Sequence, residues 1–274
     1  MSEHQDWAVA DNPLAAAVQQ RDADILQVVR DALDTRNVML SFQPVVQASN
    51  PGRPAFFEGL IRVMDDTRRV IPAREFINTI EPLTEGRIID CLALEMGCQA
   101  LIENPSLRLS INVSPRTIGY PRWEQVFEAG IAADPTLGER LILEITEASA
   151  MVMPDVVIDF MDRIHDRGVS FALDDFGAGY TAFRYFNEFF FDMVKIDCSF
   201  IKEIHMSRDN QILTEALVSI AQHFDMFTVA EGVETREEAE YLIGAGVDCL
   251  QGYLFGAPQL RLPPNAAGSL SKTG

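Results

Sequence analysis

Two adjacent carboxylates, Asp174 and Asp175, close a short apolar run in the segment SFALDDFGAGYTAFRYFNEFFFDMVKID, Ser170 to Asp197. Ser170 to Leu173 reads as a buried parallel strand, and the aspartates stand just past it, before a glycine-rich turn. A second apolar run, Met193 to Ile196, carries Lys195. Two strands of one sheet would bring Asp, Asp and Lys to its C-terminal edge, where barrel enzymes do their chemistry. Taken alone, Asp-Asp-Phe-Gly is equally a turn, because Asp and Gly favour turns for backbone reasons. Asp175-Phe176-Gly177 also spells a kinase motif. The glycine-rich loop, V-A-I-K lysine and H-R-D loop that would accompany it are missing, so a kinase is excluded.

Acidic and amide residues interrupt other apolar runs. Glu58 lies inside the run Ala55 to Val63, where a buried carboxylate needs a cation or hydrogen-bond partner; a salt bridge to nearby Arg62 is the plainer alternative. Asn112 lies in the last turn of the run LRLSINV, as an oxygen donor or a plain strand-end cap, Glu144 lies inside LILEIT with Glu147 just beyond, Glu231 follows Thr228 to Ala230, and Gln251 follows Val247 to Leu250. One barrel mouth would collect them all. The carboxylates of Glu58, Glu144, Asp174, Asp175 and Glu231 would then raise one another's pKa unless cations neutralised them, which points to metal. Oxygen ligands without His or Cys favour Mg²⁺ or Mn²⁺. The four cysteines form no C-x-x-C and the four histidines no H-E-x-x-H, which argues against zinc.

The elements that must position these residues alternate along the chain. Residues 1–12 read as a disordered lead, and Leu14 to about Thr35 as one or two amphipathic helices. Val38 to Val46 is a strand, Asn50-Pro51-Gly52 a turn, and Ala55 to Val63 an antiparallel partner, because the link is short. Helices are expected at Pro72 to Ile80, Arg87 to Glu103, Trp123 to Ala132, Asp155 to Arg167 and Asn210 to Phe224. Another follows a Thr235/Glu238 capping box and is closed by Gly244 or Gly246. Eight strands alternating with helices predict a modified TIM (β/α)8 barrel with its first strand antiparallel, plus N-terminal helices, in a single domain over 13–262. Residues 263–274 read as a disordered tail.

A net charge of -19 argues against binding a nucleic-acid polymer, which needs Lys and Arg to displace counterions. No segment approaches the apolar length of a membrane helix, and the N-terminus lacks signal-peptide character, so the expectation is a cytoplasmic protein with reduced cysteines and no membrane contact.

The blocks SFQPVV, EGLIR, INVSP, LEITE, ALDDFGAGYTAF, VKIDCSF, VAEGVET and QGYLFGAP, in this order, resemble the EAL-type cyclic-di-GMP phosphodiesterases from about Leu14 to Pro258. The resemblance implies hydrolysis of cyclic-di-GMP to linear pGpG with two Mg²⁺ or Mn²⁺ ions per site. It implies Glu58, Asn112, Glu144 and Asp174 as ligands of one ion, and Asp174, Asp175 and Glu231 as ligands of the other. Lys195, Glu231 and Gln251 take catalytic places, while Gln43, Leu60, Arg62, Asp197 and Gln251 take substrate-binding ones. Glu147 and Glu234 stabilise loops, Glu147 acting on the loop from Phe176 to Phe183. A homodimer is also implied, with the aromatics Phe183, Tyr185, Phe186, Phe189, Phe190 and Phe191 divided between core and partner. The alternative is a non-catalytic cyclic-di-GMP receptor or an interaction scaffold on the same fold. The departures are Gly59 in place of the signature's alanine, GYTAF in the loop, and Phe190 where proline is frequent; none removes a ligand.

Overall fold

The computed structural model describes residues 13–178 and 188–263. The expected lead, nearly all of the expected tail, and most of the loop after Phe176, with Phe183, Tyr185 and Phe186, lie outside the described residues. The chain opens with one helix, α1 (Pro13–Asp34). Strands β1 (Val38–Gln47) and β2 (Asn50–Met64) form a hairpin. Its turn is Ala48-Ser49, with Gln47 opposite Asn50, so Asn50-Pro51-Gly52 belongs to a longer β2 and is not the turn the sequence suggests.

A single helix over Pro72 to Ile80 also needs correction. Val70–Pro72 is a strand, β3, antiparallel to β2, followed by a 3-10 turn at Ala73–Glu75 and a one-turn helix, α2 (Ile77–Ile80). Pairing of β3 buries Ile71 against the barrel, a tertiary gain that outweighs local helical spacing. The remaining order is α3 (Thr84–Glu103), β4 (Leu109–Asn112), α4 (Pro121–Ala133), β5 (Leu141–Thr146), α5 (Glu147–Ala150), α6 (Pro154–His165) and β6 (Ser170–Phe176). After it come β7 (Met193–Ile196), α7 (Cys198–Ile201), α8 (Arg208–His223), β8 (Phe227–Ala230), α9 (Arg236–Gly244) and β9 (Cys249–Gln251). The Thr235/Glu238 capping box opens α9, and Gly246 takes a left-handed φ of +84° after it.

Pairing runs β1-β9-β8-β7-β6-β5-β4-β2 and back to β1, closing a barrel of eight strands, with β3 attached outside β2. β1 is antiparallel to both of its barrel neighbours, and the pairs from β2 through β9 are parallel. The short parallel strands are buried on both faces, which is why they read as continuous apolar runs.

The barrel interior holds a small plug built from Val45, Ala55, Phe56, Ile142, Ala172, Met193, Val229 and Cys249. Side chains alternate along a strand, so the residue two places on points inward again, one layer higher. From Phe56, Ile142, Ala172, Met193, Val229 and Cys249 that residue is Glu58, Glu144, Asp174, Lys195, Glu231 and Gln251. β1 runs the other way, so Gln43 precedes Val45.

Packing against the barrel wall explains Gly59. Its missing Cβ would lie 2.6 Å from Ile111 Cδ1 and 3.2 Å from the Ser110 carbonyl, and a Cβ on Gly97 of α3 would lie 3.0 Å from the same methyl. Ile111 fills the space between two glycines. Gly59→Ala is therefore expected to cost roughly 1–3 kcal/mol through overpacking. Ile111→Val in the same chain should recover much of that loss. Urea unfolding of both single variants and the double variant checks this; additive effects would refute the packing account.

Candidate active site

Lys195 organises the layer above the plug. Its side chain is 1% exposed, and Nζ lies 2.7 Å from Glu231 Oε1, 2.9 Å from Glu144 Oε2, 3.2 Å from Asp174 Oδ1 and 3.6 Å from Glu58 Oε2. Amides grip Glu58 from both sides. Asn112 Nδ2 donates to Oε1 at 3.1 Å and Gln251 Nε2 to Oε2 at 2.5 Å. The partner the sequence required for Glu58 is thus Lys195 with two amides. Arg62 forms no salt bridge with it, its Nη1 donating instead to the Ile61 carbonyl.

These contacts set the protonation of the cluster. Burial opposes ionisation of Glu58, but Lys195 and the amide donors outweigh it and hold the carboxyl below its usual range. Glu144 is pushed up to about 8 by burial, Lys195 only partly offsetting this while Glu58 and Asp174 add repulsion. Burial also raises Glu231, and burial with the charge of Asp174 raises Asp175 to about 6. Burial would depress Lys195, yet the surrounding carboxylates hold its ammonium well above the ordinary range. One cation is too little for this many carboxylates.

The unused oxygens show what the site can accept. Glu144 Oε1 and Gln251 Oε1 are buried without a hydrogen-bond donor, and Asp174 Oδ1 is buried with only the Lys195 ammonium, 3.2 Å away, beside it. Asp174, Asp175 and Glu231 each offer a carboxylate oxygen within 4.8 Å of the others. Asp175 reaches this position with φ +56°, the left-handed region that non-glycine residues seldom adopt, and such strain concentrates at functional sites. Unsatisfied hard oxygens together with excess negative charge fit a divalent cation such as Mg²⁺ or Mn²⁺.

The remaining sequence-predicted residues are distributed around this centre. Gln43 is buried beside Gln251, whose Nε2 lies 3.3 Å from Gln43 Oε1, and Gln43 in turn donates to the Gly256 carbonyl. Leu60 lines the pocket wall, and half-buried Arg62 follows on the same strand. Asp197 caps α7 through the Ser199 N–H and lies close enough to Asp175 to raise its pKa. Glu147 is buried and accepts the Gly177 N–H at 3.0 Å, at the start of the loop it was expected to steady. Glu234 is exposed, and its backbone N–H is held by Glu238. Phe189 and Phe191 are buried while Phe190 is 57% exposed, so the aromatic run is divided between core and surface.

A cavity of about 500 Å³ runs from the carboxylates out to Arg74, Glu81 and Asp90, residues that sequence reading passed over. Asp90 accepts from Thr117 Oγ1 at 2.5 Å and from Ser114 N–H at 3.1 Å, and Ser114 Oγ donates to Glu81. Together they pin the loop that follows Asn112. The available signal was a carboxylate within the apolar face Ile88-Ile89-Asp90-Cys91. Burial pushes the Asp90 carboxyl up to about 7, its two hydrogen bonds offsetting this only in part. An unfolded chain would release that proton near pH 4, so the group's contribution to stability is present below about pH 4 and is lost as pH rises towards about 7. Asp90→Asn cannot titrate. The stability of the unaltered chain relative to Asp90→Asn, from urea midpoints between pH 4 and 8, should fall with pH; a constant difference would contradict the burial argument.

The fold and site can now be set beside known proteins. Residues 26–258 match the profile described as "EAL domain". An uncharacterized signaling protein of Caulobacter vibrioides is 32% identical over 235 residues, 84% of this chain and 28% of that protein. The cyclic di-GMP phosphodiesterase NbdA of Pseudomonas aeruginosa is 30% identical over 84% of this chain and 30% of its own length. The chain spans about a third of the length of the curated relatives it matches. The structure named as the PaMucR phosphodiesterase in complex with c-di-GMP superposes with a TM-score of 0.79 at 27% identity, covering 86% of this chain and 97% of the other. The FimX EAL domain from Pseudomonas aeruginosa, bound to c-di-GMP, superposes with a TM-score of 0.80 at 20% identity over 89% and 99%, a likeness of fold. The barrel with its reversed first strand, the carboxylates at its strand ends and a profile match over most of the sequence agree, and the chain belongs to the EAL domain family.

Proposed function

We propose that this chain hydrolyses cyclic-di-GMP to linear pGpG. The observation that carries the reading is the convergence of Glu58, Glu144, Asp174 and Glu231 on the single Lys195 ammonium, with Glu144 Oε1 buried and left without a donor. Glu58, Asn112, Glu144 and Asp174 would hold one divalent cation, and Asp174, Asp175 and Glu231 a second, with Asp174 shared. Bound there, Mg²⁺ or Mn²⁺ would neutralise the site and supply an activated water for in-line attack at phosphorus.

The side chains of the protein do the rest. Gln251, fixed through Nε2 by Glu58, turns its unpartnered Oε1 towards the water it orients. Lys195 stands beside the reacting phosphate, where it answers the negative charge that builds in the transition state. Gln43, Leu60 and Arg62 hold the dinucleotide against the β1–β2 wall, and Asp197 bounds the far side. The new bond joins the water oxygen to phosphorus, the P–O3′ bond breaks, and the proton lost by water balances the one gained by the 3′ oxygen. Glu147 keeps the backbone after Asp175 in place through Gly177. The chain acts as a homodimer, with exposed Phe190 available to the contact. It works in the cytoplasm; among the described residues no helix is long and apolar enough to cross a membrane.

Chromatography of products should show pGpG formed with Mg²⁺ or Mn²⁺ and little with Ca²⁺, whose larger and looser shell tolerates other geometries. Asp174→Ala should lower turnover about a hundredfold or more with an unchanged circular dichroism spectrum. Near-normal turnover in that variant would remove Asp174 from the ligand set.

Lys195→Ala should lower kcat far more than it weakens substrate binding, and Lys195→Arg should not restore it, because a broad guanidinium does not fit where a compact ammonium sits among carboxylates. The same Ala variant leaves the carboxylates uncompensated, so Mg²⁺ should raise its Tm more than that of the unaltered chain. Unchanged turnover with weaker binding would make Lys195 a binding residue only.

A further inference from the structure

We infer that Arg74 is a second guanidinium of the substrate pocket, placed beside Arg62 to hold the phosphate of a cyclic dinucleotide that is not being cleaved. The inference rests on the substrate class proposed above. Arg74 sits in the 3-10 turn Ala73–Glu75, which begins immediately after Pro72, and Pro72 lies opposite Arg62 in the β2–β3 ladder. The β3 pairing, which no local pattern announces, is therefore what brings Arg74 to the cavity beside the strand that carries Arg62. Arg74 lines the same cavity as Glu58, Asn112, Asp174 and Asp175.

Ion pairing separates Arg74 from its neighbours. Arg69 is held by Glu75 at 3.0 Å, whereas neither Arg74 nor Arg62 forms a salt bridge among the described residues. The carboxylates nearby are already engaged, Glu81 accepting from Ser114 Oγ and Asp90 from Thr117 and Ser114. Burial lowers the pKa of Arg62; Glu58 counters this, and the charge of Arg74 lowers it further, which places the two guanidiniums within electrostatic reach of each other. Two like charges within electrostatic reach of each other repel, and an anion held between them would relieve that repulsion.

A cyclic dinucleotide supplies that anion. It carries two phosphodiester charges, of which only one can occupy the carboxylate end of the cavity, and the other would be desolvated without a counter-ion unless the wall provided one. A pair of guanidinium forks offers charge-assisted hydrogen bonds of the geometry phosphate oxygens accept. Arg74 is exposed and forms no ion pair or side-chain hydrogen bond among the described residues, so its removal should leave the fold intact.

Calorimetric titration of the whole chain, with Ca²⁺ replacing Mg²⁺ to slow cleavage, tests this with three probes: cyclic-di-GMP, cyclic-di-AMP and cyclic GMP. Arg74→Ala should raise Kd about tenfold for both dinucleotides, and Arg74→Lys should recover part of that loss by keeping the charge without the fork. Cyclic GMP, with its single phosphate, should lose less than about twofold. Dinucleotide affinity within twofold of the unaltered chain would overturn the inference, as would an equal loss for cyclic GMP. A loss confined to cyclic-di-GMP would overturn it too, since Arg74 would then read the base. Tight dinucleotide binding without cleavage in Mg²⁺ would refute the hydrolase reading and leave the Arg74 result standing; binding of neither dinucleotide would refute both.

Discussion

The Lys195 ammonium lies within 4 Å of four carboxylates at the top of the barrel plug, almost wholly shielded from water, and the rest of the structure answers to that contact. A lone buried ammonium would lose its proton, and carboxylates crowded together would take up protons. Together the carboxylates keep the ammonium charged, and the ammonium with two amides keeps Glu58 ionised. The balance is incomplete, since Glu144, Glu231 and Asp175 are still raised, and the residual negative charge makes the layer a receptor for further cations.

Strand geometry makes this concentration of charge affordable. Parallel strands around a barrel place side chains in layers, so a residue two positions beyond a plug residue enters the next layer in every parallel strand alike. Among the cluster's own residues only Asp175, near the end of β6, takes a left-handed backbone, and Gly232 does so directly after Glu231. β1 contributes from the opposite direction, and its Gln43 meets Gln251 across the only antiparallel seams in the barrel. The plug below keeps water from reaching the ammonium from beneath.

The cavity is also polarised. Its inner end is acidic, while Arg74, which has no ion-pair partner among the described residues, reaches its outer end from the turn after β3. Between these ends the loop after Asn112 is held by Asp90 and Glu81, so the amide that grips Glu58 is anchored from the helix layer as well as from its own strand.

The sequence by itself determined the barrel, its reversed first strand and the residues of the inner layer. Charged residues inside or at the end of apolar runs are costly enough to mark themselves: Glu58, Glu144, Asp174 and Lys195 all stand out against Val, Ile and Leu. Ordered blocks from SFQPVV to QGYLFGAP named the family. Tertiary structure alone decided which partner each carboxylate took, and so Glu58 meets Lys195 and two amides instead of Arg62. It also decided that Val70–Pro72 would be a strand, because a three-residue run becomes one only when a neighbour such as β2 offers a ladder. Arg74 was invisible for the same reason, and Asp90 showed only as a carboxylate in an apolar run, with nothing to say what it lines. A surface arginine and a helical aspartate carry no local signal of the cavity they line, because that cavity exists only once β3, α3 and the barrel mouth are packed together.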